Sequence, residues 1–362
     1  MDDASPTGYR CRACGAPLAD DCLGPCPDCG GRPAVAMATT IDRPWTEWVP
    51  ETIGDIAAGI GATPRLALPV TADRLGIDGL SVKREGANAT GSIADRGLAV
   101  AIAAAAAAGH DRVALASPGP GARSAAALAA RADLEATVAV PSRSQFDAKA
   151  MVNVYGGDMR VVEGRYPAAI ATVDDLEGLD LRPFATGRRI AGLRTIAVEL
   201  AADAPDAVVV PAGHGHLPVA LSEGFAAAVE RDALESAPAI VVVQPEGCAP
   251  LITGEAVAYP DTVCGVLEIP DPPAPEAVAA AVEATDGTRV AIPDDDALAA
   301  AVTSARADGV ATSTAGGLAL AAVERLRADG EIDPDDCVVI VDPLAARADA
   351  DILRSHLMRT AE

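Results

Sequence analysis

Lysine is almost absent from this sequence: Lys83 and Lys149 are the only two, and 28 basic residues stand against 52 acidic ones. The formal net charge is −24. A surface of this sign repels nucleic acid and anionic membranes, because phosphate binding requires clustered Lys and Arg. In about 1 M salt the Debye length falls to roughly 3 Å, so like-charge repulsion is screened. We therefore expect no nucleic-acid and no membrane partner, and a cytoplasmic protein of an extreme halophile, a haloarchaeon.

Aromatic residues and long apolar runs are scarce as well. Three Phe, four Tyr and two Trp leave the core to Ala, Val, Leu and Ile. The longest alanine-rich run, 99–108, is too short to span a bilayer, and residues 1–10 lack the apolar stretch of a signal peptide. The 362 residues suffice for two domains, which we expect to contain no membrane segment.

Cysteine is concentrated near the start of the chain. Cys11 and Cys14 form one Cys-x2-Cys knuckle, and Cys26 and Cys29 form a second, the spacing of a tetrahedral zinc ribbon. A disulfide pair or a redox motif is the alternative, and the lack of an export signal favours zinc. Cys22 is left over. We expect three isolated cysteines to be small buried apolar residues: Cys248, Cys264 and Cys337.

After residue 50, short β-branched runs alternate with alanine- and leucine-rich stretches of helical periodicity. This alternation predicts parallel sheets covered by helices on both faces. The predicted strands are 79–85, 112–117, 135–141, 158–164, 206–213, 238–247, 288–293 and 337–343. The predicted helices include 121–133, 218–231, 296–308 and 315–329. Ligands of such sheets bind in the loops after the strands, so these loops are the first places to look for a site.

The order of those loops resembles threonine synthase and its relatives among the pyridoxal-phosphate (PLP) enzymes of fold type II, the tryptophan synthase beta-like superfamily. Three segments carry the first part of this resemblance: the cysteine ribbon, "GIGATPRL" (59–66) and "VKREGANATGSIADRG" (82–97). The second part comes from "VVVPAGHGHLPVALSEGF" (208–225), "VQPEGCAPL" (243–251) and "TSTAGGLALAAVERL" (312–326).

The resemblance places Ala94 where the family has the lysine that forms the Schiff base with PLP. A methyl group can neither form an imine nor carry a proton. Lys83 matches a family lysine without that role, and Lys149 begins a helix of the family's mobile domain. The flanking residues that shape the backbone are kept, including Ser92, Arg96 and Gly97, with Asp95 expected to cap the helix. The resemblance therefore implies that no residue of this chain fills the catalytic lysine's role.

Two further family anchors for cofactor and substrate are altered. "SPGPGARS" (117–124) replaces a Ser-Thr-Gly-Asn loop, and its prolines remove backbone donors. Gly213-His214-Gly215-His216 replaces the glycine-rich phosphate loop, with Pro218 expected to begin a helix that attracts anions. We interpret His214 and His216 as polar loop residues; the alternative is that they jointly bind a metal or an anion. The resemblance gives a vestigial cleft lined by Asn88, Ser92, Ala94, Ser117, Gly119, Pro120, Gly213, His214, Gly215 and His216.

Two other features bear on this cleft. A family Thr-Gly that faces the pyridine nitrogen corresponds to Asp342-Pro343. We interpret the adjacent pair Arg188-Arg189 as a solvated turn.

The sequence thus predicts the two-domain fold of PLP fold type II, preceded by a zinc ribbon. The predicted parts are the ribbon (1–33), the first part of the large domain (34–95), the small mobile domain (96–185) and the rest of the large domain (186–362). We expect zinc in the ribbon through Cys11, Cys14, Cys26 and Cys29, and no bound PLP.

The predicted function is that of an inactive threonine synthase-like protein with a regulatory, ligand-binding or scaffolding role. Its expected partners are a small anionic metabolite or an active paralogue, and the resemblance implies a homodimer. The alternative is an active threonine synthase-like PLP enzyme that binds its cofactor in a non-standard way.

Overall fold

The computed structural model describes residues 9–11, 13–18, 26–31, 33–35 and 51–360. Cys22 and the tryptophan-containing segment 43–50 lie outside these residues. The described strands are β1 (Tyr9–Cys11), β2 (Pro17–Leu18), β3 (Pro33–Val35), β4 (Arg65–Ala67), β5 (Gly79–Arg84), β6 (Arg112–Ala116), β7 (Glu135–Pro141), β8 (Asp158–Val162), β9 (Leu179–Asp180), β10 (Ala207–Pro211), β11 (Ala239–Pro245), β12 (Thr288–Ile292) and β13 (Cys337–Asp342).

The α-helices are α1 (Pro69–Leu75), α2 (Ala94–Ala107), α3 (Pro120–Arg131), α4 (Phe146–Val154), α5 (Tyr166–Ile170), α6 (Gly187–Ala201), α7 (His216–Val229), α8 (Pro250–Thr253), α9 (Pro275–Glu283), α10 (Asp294–Asp308), α11 (Thr314–Asp329) and α12 (Ala350–Thr360). Short 3-10 turns cover Glu51–Ala57, Glu85–Ala87, Val173–Asp175, Glu246–Cys248, Gly265–Leu267 and Ala346–Asp349. All eight predicted strands and all four predicted helices are confirmed, with ends that differ by a few residues. No helix in the described ranges is long and apolar enough to cross a bilayer.

The chain divides into two compact units. Unit 1 comprises Met1–Gly61, Ala94–Glu199 and Glu223–Glu235, and unit 2 comprises Ala62–Ile93, Leu200–Ser222 and Ser236–Glu362. Most of α6 therefore groups with unit 1, whereas the predicted small domain ends at residue 185. The predicted domain boundaries stay predictions.

Unit 2 is built on a six-stranded sheet in the order β12-β11-β10-β13-β5-β4. All neighbours are parallel except β4, which pairs antiparallel with β5 at the edge. The central strand β10 is buried over its whole length, so it reads as an unbroken apolar run instead of an alternating one. Val209 packs with valines of β11 and β13 against the alanine- and leucine-rich face of α11.

Unit 1 contains a four-stranded parallel sheet in the order β8-β7-β6-β9. Helices α2 and α3 pack in one apolar cluster with β6 and β7. Leu98 and all residues from Ala99 to Ala105 in α2 are buried, which explains the alanine run: small side chains allow neighbours to approach the helix from every side.

The N-terminal ribbon of unit 1 is a small antiparallel sheet in the order β2-β1-β3. Tyr9 pairs with Leu18 on one side and with Val35 on the other. The first cysteine knuckle begins at Cys11, the last residue of β1, and the second precedes β3.

Candidate functional site

Four thiols of the ribbon come together as predicted. The Sγ atoms of Cys11, Cys14, Cys26 and Cys29 all lie within 4.8 Å of one another. The Cys11–Cys29 and Cys14–Cys26 distances are 3.5 and 3.9 Å. Zinc–sulfur bonds of about 2.3 Å place tetrahedral sulfurs about 3.8 Å apart. The donor set therefore fits a structural zinc ion.

The backbone of each knuckle turns at a glycine, and that of the first knuckle also lowers the pKa of one thiol, Cys11. Gly15 and Gly30 have φ values of 72° and 69°, and each donates its N–H to the carbonyl oxygen of the cysteine four residues earlier. These are left-handed conformations that glycine adopts without strain. The backbone N–H of Cys14 lowers the pKa of the Cys11 thiol to about 7, which favours the thiolate that a metal requires.

Two of the three isolated cysteines are buried as predicted, and the third is not. Cys248 and Cys264 are buried, as expected of small apolar residues. Cys337 is exposed, so the expectation for it was wrong. Cys337 is the first residue of β13, where the strand has not yet entered the core.

Ala94, at the position that the resemblance assigns to the catalytic lysine, is the first residue of α2 in unit 1. Asp95 lies in the first turn of this helix and is fully buried; that it caps the helix stays a prediction. Neither lysine of the chain has an unengaged amine. Lys83 Nζ is buried and donates to the Thr63 carbonyl oxygen at 2.6 Å, and Lys149 Nζ donates to the Ser142 carbonyl oxygen at 2.7 Å.

Helix α2 is held by an unusually close contact with α6. A Cβ on Gly192 would lie 2.1 Å from the carbonyl oxygen of Arg96, and one on Gly97 would lie 2.7 Å from that of Arg189. Arg96 itself is fully buried and forms a two-pronged ion pair with Glu199, at 2.6 and 2.9 Å. Glycine at both positions is therefore a packing requirement of the helix pair.

Arg188 and Arg189 lie in the first turn of α6 and are both buried. The prediction of a solvated turn was therefore wrong. Arg189 donates to the Leu181 carbonyl oxygen at 2.8 Å, and burial lowers its pKa to about 10. The sequence pattern that predicted a turn, Gly187 followed by two arginines, instead begins a helix of fifteen residues.

The "SPGPGARS" segment ends β6 and begins α3 in unit 1. Gly119 has φ 145°, a conformation that L side chains rarely adopt, and its N–H donates to Ser117 Oγ at 3.2 Å. Pro120 is the first residue of α3, where its missing N–H costs nothing to the helix. One helical turn later in α3, Arg123 is buried and forms an ion pair with Asp147 at 3.0 Å.

In unit 2 the loop after β5 is fixed by a buried polar network. Glu85 is fully buried and accepts hydrogen bonds from Thr63 Oγ1 at 2.6 Å and from Asn88 Nδ2 at 2.8 Å. Asn88 Nδ2 also donates to the Glu85 carbonyl oxygen at 2.8 Å. Asn88 is thus engaged in shaping its own loop.

The rest of this loop is tied to the segment after β13. Ser92 forms a β-bridge with Leu344, and the Ile93 N–H donates to the Pro343 carbonyl oxygen at 2.9 Å. A Cβ on Gly86 would lie 2.3 Å from the backbone nitrogen of Ala345. The loop therefore keeps its path only with glycine at residue 86.

The glycine-histidine loop joins β10 to α7 in unit 2. Helix α7 begins at His216, so the prediction that it begins at Pro218 was wrong. A Cβ on Gly215 (φ 85°) would lie 2.4 Å from Val278 Cγ2, which makes glycine necessary there. The imidazole centroids of His214 and His216 lie 5.9 Å apart. In the described ranges, only the four-cysteine cluster brings three or more potential metal ligands together, so these histidines are not part of such a group.

Asp342, at the end of β13, is the centre of a polar cluster that sequence reasoning did not develop. Its carboxylate is almost fully buried and accepts hydrogen bonds from Ser313 Oγ at 2.5 Å and from the Ser313 N–H at 3.2 Å. Burial raises the pKa of Asp342 to about 7. A second buried carboxylate, Asp349, accepts from the N–H and the Oγ1 of Thr314, both at 2.8 Å. Asp342 and Asp349 thus accept hydrogen bonds at the start of α11, where the first N–H groups of a helix have no partner within the helix itself.

The predicted cleft residues divide between the two units. Ala94, Ser117, Gly119 and Pro120 belong to unit 1, and Asn88, Ser92, Gly213, His214, Gly215 and His216 belong to unit 2. That these residues line one cleft stays a prediction.

The described residues fit PLP only in part. Ala94 and the engaged amines of Lys83 and Lys149 offer no lysine for covalent attachment. The first turn of α7, by contrast, presents backbone N–H groups at the end of a fourteen-residue helix, which suits a phosphate.

Comparison with known proteins agrees with this fold and places it in a family. Residues 56–343 match the family described as "Pyridoxal-phosphate dependent enzyme". Threonine synthase of Methanosarcina acetivorans is 27% identical over 297 residues, covering 78% of this chain and 73% of that protein. Threonine synthase of a Bacillus species is 29% identical over 300 residues, covering 81% and 85%.

Solved structures share the fold. Threonine deaminase isoform 2 from Solanum lycopersicum superposes with a TM-score of 0.69 at 19% identity, over 84% of this chain and 91% of that one. A lysine-to-alanine mutant of O-ureido-L-serine synthase, bound to O-ureido-L-serine, superposes with a TM-score of 0.70 at 19% identity, over 83% and 94%. The fold expected from the resemblance is thereby confirmed, and the chain belongs to the pyridoxal-phosphate-dependent enzyme family.

Proposed function

We propose that this protein is a threonine synthase-like member of its family that does not catalyse the family's chemistry and acts instead by binding a small anionic ligand. The observation that carries the proposal is Ala94 at the start of α2, together with the hydrogen-bonded amines of both lysines. PLP chemistry on amino acids needs an amine that links to the cofactor and moves a proton. This chain offers no such amine at that position.

Lys83 is a poor replacement for the missing group. Its Nζ is buried and donates to the Thr63 carbonyl oxygen at 2.6 Å. Turning the amine toward a ligand would break this buried hydrogen bond, at a cost of about 1–3 kcal/mol. Lys149 is bonded to the Ser142 carbonyl oxygen and lies on α4.

The ligand is the open part of the proposal. The loop before α7 suits the binding of an anionic group. The buried carboxyl of Asp342 suits a ring nitrogen or another hydrogen-bonding group of a ligand. PLP has both features, and the family match favours PLP binding, so the expectation that PLP is not bound has no support in these findings. In the solved O-ureido-L-serine synthase, a lysine-to-alanine change is compatible with a bound ligand.

The second candidate is an active PLP enzyme that holds its cofactor without the usual covalent link. Threonine synthases at 27–29% identity favour it, because most of the backbone that supports the family's site is present. Turnover of O-phosphohomoserine, or of any amino acid in elimination or replacement assays, separates it from the first candidate.

The experiment is a visible-absorbance titration with PLP in concentrated salt, comparing the wild type with Ala94→Lys. We expect the variant alone to develop the band of lysine-bound PLP and to keep the cofactor after borohydride reduction. Equilibrium dialysis of the wild type then measures non-covalent PLP binding. A lysine-bound band in the wild type, or clear amino-acid turnover by it, would contradict the proposal. Loss of PLP binding in both proteins would leave a different anion as the ligand.

A regulatory or scaffolding role follows from such binding. A protein that binds the family's ligand without converting it can pair with an active paralogue. Through that pairing, the ligand concentration can control the activity of the paralogue. Co-purification with the paralogue, compared with and without the ligand, tests this part of the proposal.

A further inference from the structure

The cysteine ribbon has a very small apolar core of its own. Within its described residues the buried apolar side chains are Cys11, Leu18 and Cys26, and two of these three belong to the metal-binding cluster. The second cysteine of each knuckle, Cys14 or Cys29, is exposed. Metal bonds would therefore join the inner side of the ribbon to its outer side. Small modules of this kind depend on their metal for folding.

This small core lies against helix α6. Ala191 of α6 packs on the cluster formed by Cys11, Leu18 and Cys26, and the ribbon and this part of α6 belong to unit 1. In the stretch 187–197 of α6, Ala191 is the one partly buried residue, and all the others are buried. The ribbon therefore covers the side of α6 on which Ala191 lies. Without the ribbon, that side would be open to water.

The residue after Ala191 is where α6 meets α2. A Cβ on Gly192 would collide with the carbonyl oxygen of Arg96, so the backbones of the two helices are in direct contact there. Arg96 follows Ala94 by two residues and lies in the first turn of α2. Consecutive residues of a helix are fixed by the same ladder of backbone hydrogen bonds, so they move together. A displacement of α6 at the ribbon therefore reaches the start of α2 across one peptide bond.

A further side of α6 is held equally closely by the part of α7 that belongs to unit 1. A Cβ on Gly224 would lie 3.1 Å from the carbonyl oxygen of Arg194. The Arg194 side chain forms an ion pair with Glu223 at 2.9 Å. Closely packed surfaces of this kind fit together in one arrangement and do not deform gradually. The contacts of α6 with α2 and α7 thus require one position of α6, which the ribbon supports from the Ala191 side.

We propose that folding of the ribbon around zinc stabilises α6 and, through α6, the first turn of α2. When the metal is removed, the ribbon loses its core and leaves Ala191. Helix α6 and the start of α2 then open more often, while unit 2 keeps its stability. Zinc occupancy thereby controls the order of the helix start at residue 94. The inference goes beyond the proposed function and does not depend on which ligand the protein binds.

Amide hydrogen exchange of the full chain, followed by mass spectrometry in concentrated salt, tests the proposal. The zinc-loaded protein is compared with protein treated with a chelator, which reaches the metal site from the side of the exposed Cys14 and Cys29. We expect chelation to speed exchange about tenfold in peptides that cover 188–196 and 94–100, and restored zinc to reverse the change. Peptides of β11 and α11 in unit 2 are the control, and their exchange stays the same.

The variant Ala191→Glu separates the contact from the metal. Glutamate favours a helix but does not fit the apolar contact with Leu18, so we expect α6 to form and the four cysteines to keep one zinc by elemental analysis. The start of α2 then exchanges at the fast rate even with zinc bound, and chelation adds nothing further there, because the contact is already lost. Ala130→Glu, at an exposed position of α3 in the same unit, is the control and behaves like the wild type.

Three results would overturn the proposal. The first is fast exchange confined to the ribbon after chelation, which would mean that α6 does not need the ribbon. The second is slow exchange at the start of α2 in zinc-loaded Ala191→Glu, which would mean that the contact at residue 191 transmits nothing. The third is equal acceleration in unit 2, which would mean that zinc stabilises the whole chain and not α6 in particular.

Discussion

The buried ion pair between Arg96 and Glu199 gives the sharpest test of how α2 is held. Arg96 follows Ala94 by two residues and is fully buried, whereas the Glu199 side chain is 17% exposed. The two oxygens of Glu199 accept from the two terminal nitrogens of Arg96 at 2.6 and 2.9 Å, and Thr195 Oγ1 accepts at 2.8 Å. Replacing Glu199 by Gln removes the negative charge that this ion pair places beside the buried guanidinium.

The expected cost follows from that geometry. Breaking a buried pair by removing one partner costs about 3–5 kcal/mol, and partial exposure of Glu199 points to the lower end. With a denaturant slope of about 2–3 kcal/mol per molar urea, the midpoint falls by about 1 M. Replacing both partners with apolar residues, Arg96→Met with Glu199→Leu, removes the buried guanidinium as well, so the double variant recovers most of the lost stability.

Urea unfolding at constant salt, followed by circular dichroism, measures both changes. The control is Glu324→Gln, which breaks the Arg74–Glu324 pair, whose side chains are 44% and 34% exposed. Exposed pairs contribute about 0–1 kcal/mol, so this midpoint hardly moves. If Glu199→Gln costs no more than Glu324→Gln, or if the double variant is less stable than the single one, the account of the buried pair is wrong.

Two further predictions concern the metal cluster and the buried acid. The purified protein is expected to hold one zinc per chain by elemental analysis, and Cys26→Ser to lose it while the control Cys337→Ser keeps it; equal zinc in both variants would contradict the site. The pKa of Asp342 is raised to about 7, so between about pH 4 and 7 the folded chain holds a proton that the unfolded chain has lost. The contribution of this group to the free energy of unfolding is therefore fully present below about pH 4 and is lost as the pH rises through 7. Asp342→Asn is expected to flatten that dependence in urea titrations at several pH values, and an unchanged slope would count against the raised pKa.

The elements of the fold were predictable because each has a local signature. The valine runs of β10 and β11 and the alanine-rich α2 show their type within a few residues, and their alternation implies parallel sheets. The short strands β4 and β9 were missed. Each has two or three residues, and its pairing depends on a neighbour far along the chain, which no local pattern contains.

The site was predictable only where spacing alone defines the geometry. Two Cys-x2-Cys knuckles bring four thiols together wherever the chain folds as a ribbon, and the Sγ distances agree. The burial of Arg188 and Arg189 was not predictable, because two arginines after a glycine are usually solvated. Asp342 was noted only as a family correspondence, since its link to Ser313 joins segments 29 residues apart. Buried polar contacts of this kind arise from tertiary packing.

The loop and helix around Ala94 are held by contacts within the protein that do not depend on a cofactor. Gly86 is required by its contact with Ala345, and Gly97 by the close approach of α6. Asn88 is bound to Glu85, and Arg96 to Glu199. Each of these residues has a structural task that persists when no cofactor is bound.

Ala94 packs against the edge of the apolar cluster of unit 1. It is a half-buried first residue of a helix, where alanine is the most favourable residue for helix formation. A lysine there costs the fold only a few tenths of a kcal/mol, because its long side chain loses little freedom in a helix. Ala94→Lys is therefore expected to fold as well as the wild type. For that reason the PLP titration of this variant reports on the chemistry of the site and not on its collapse.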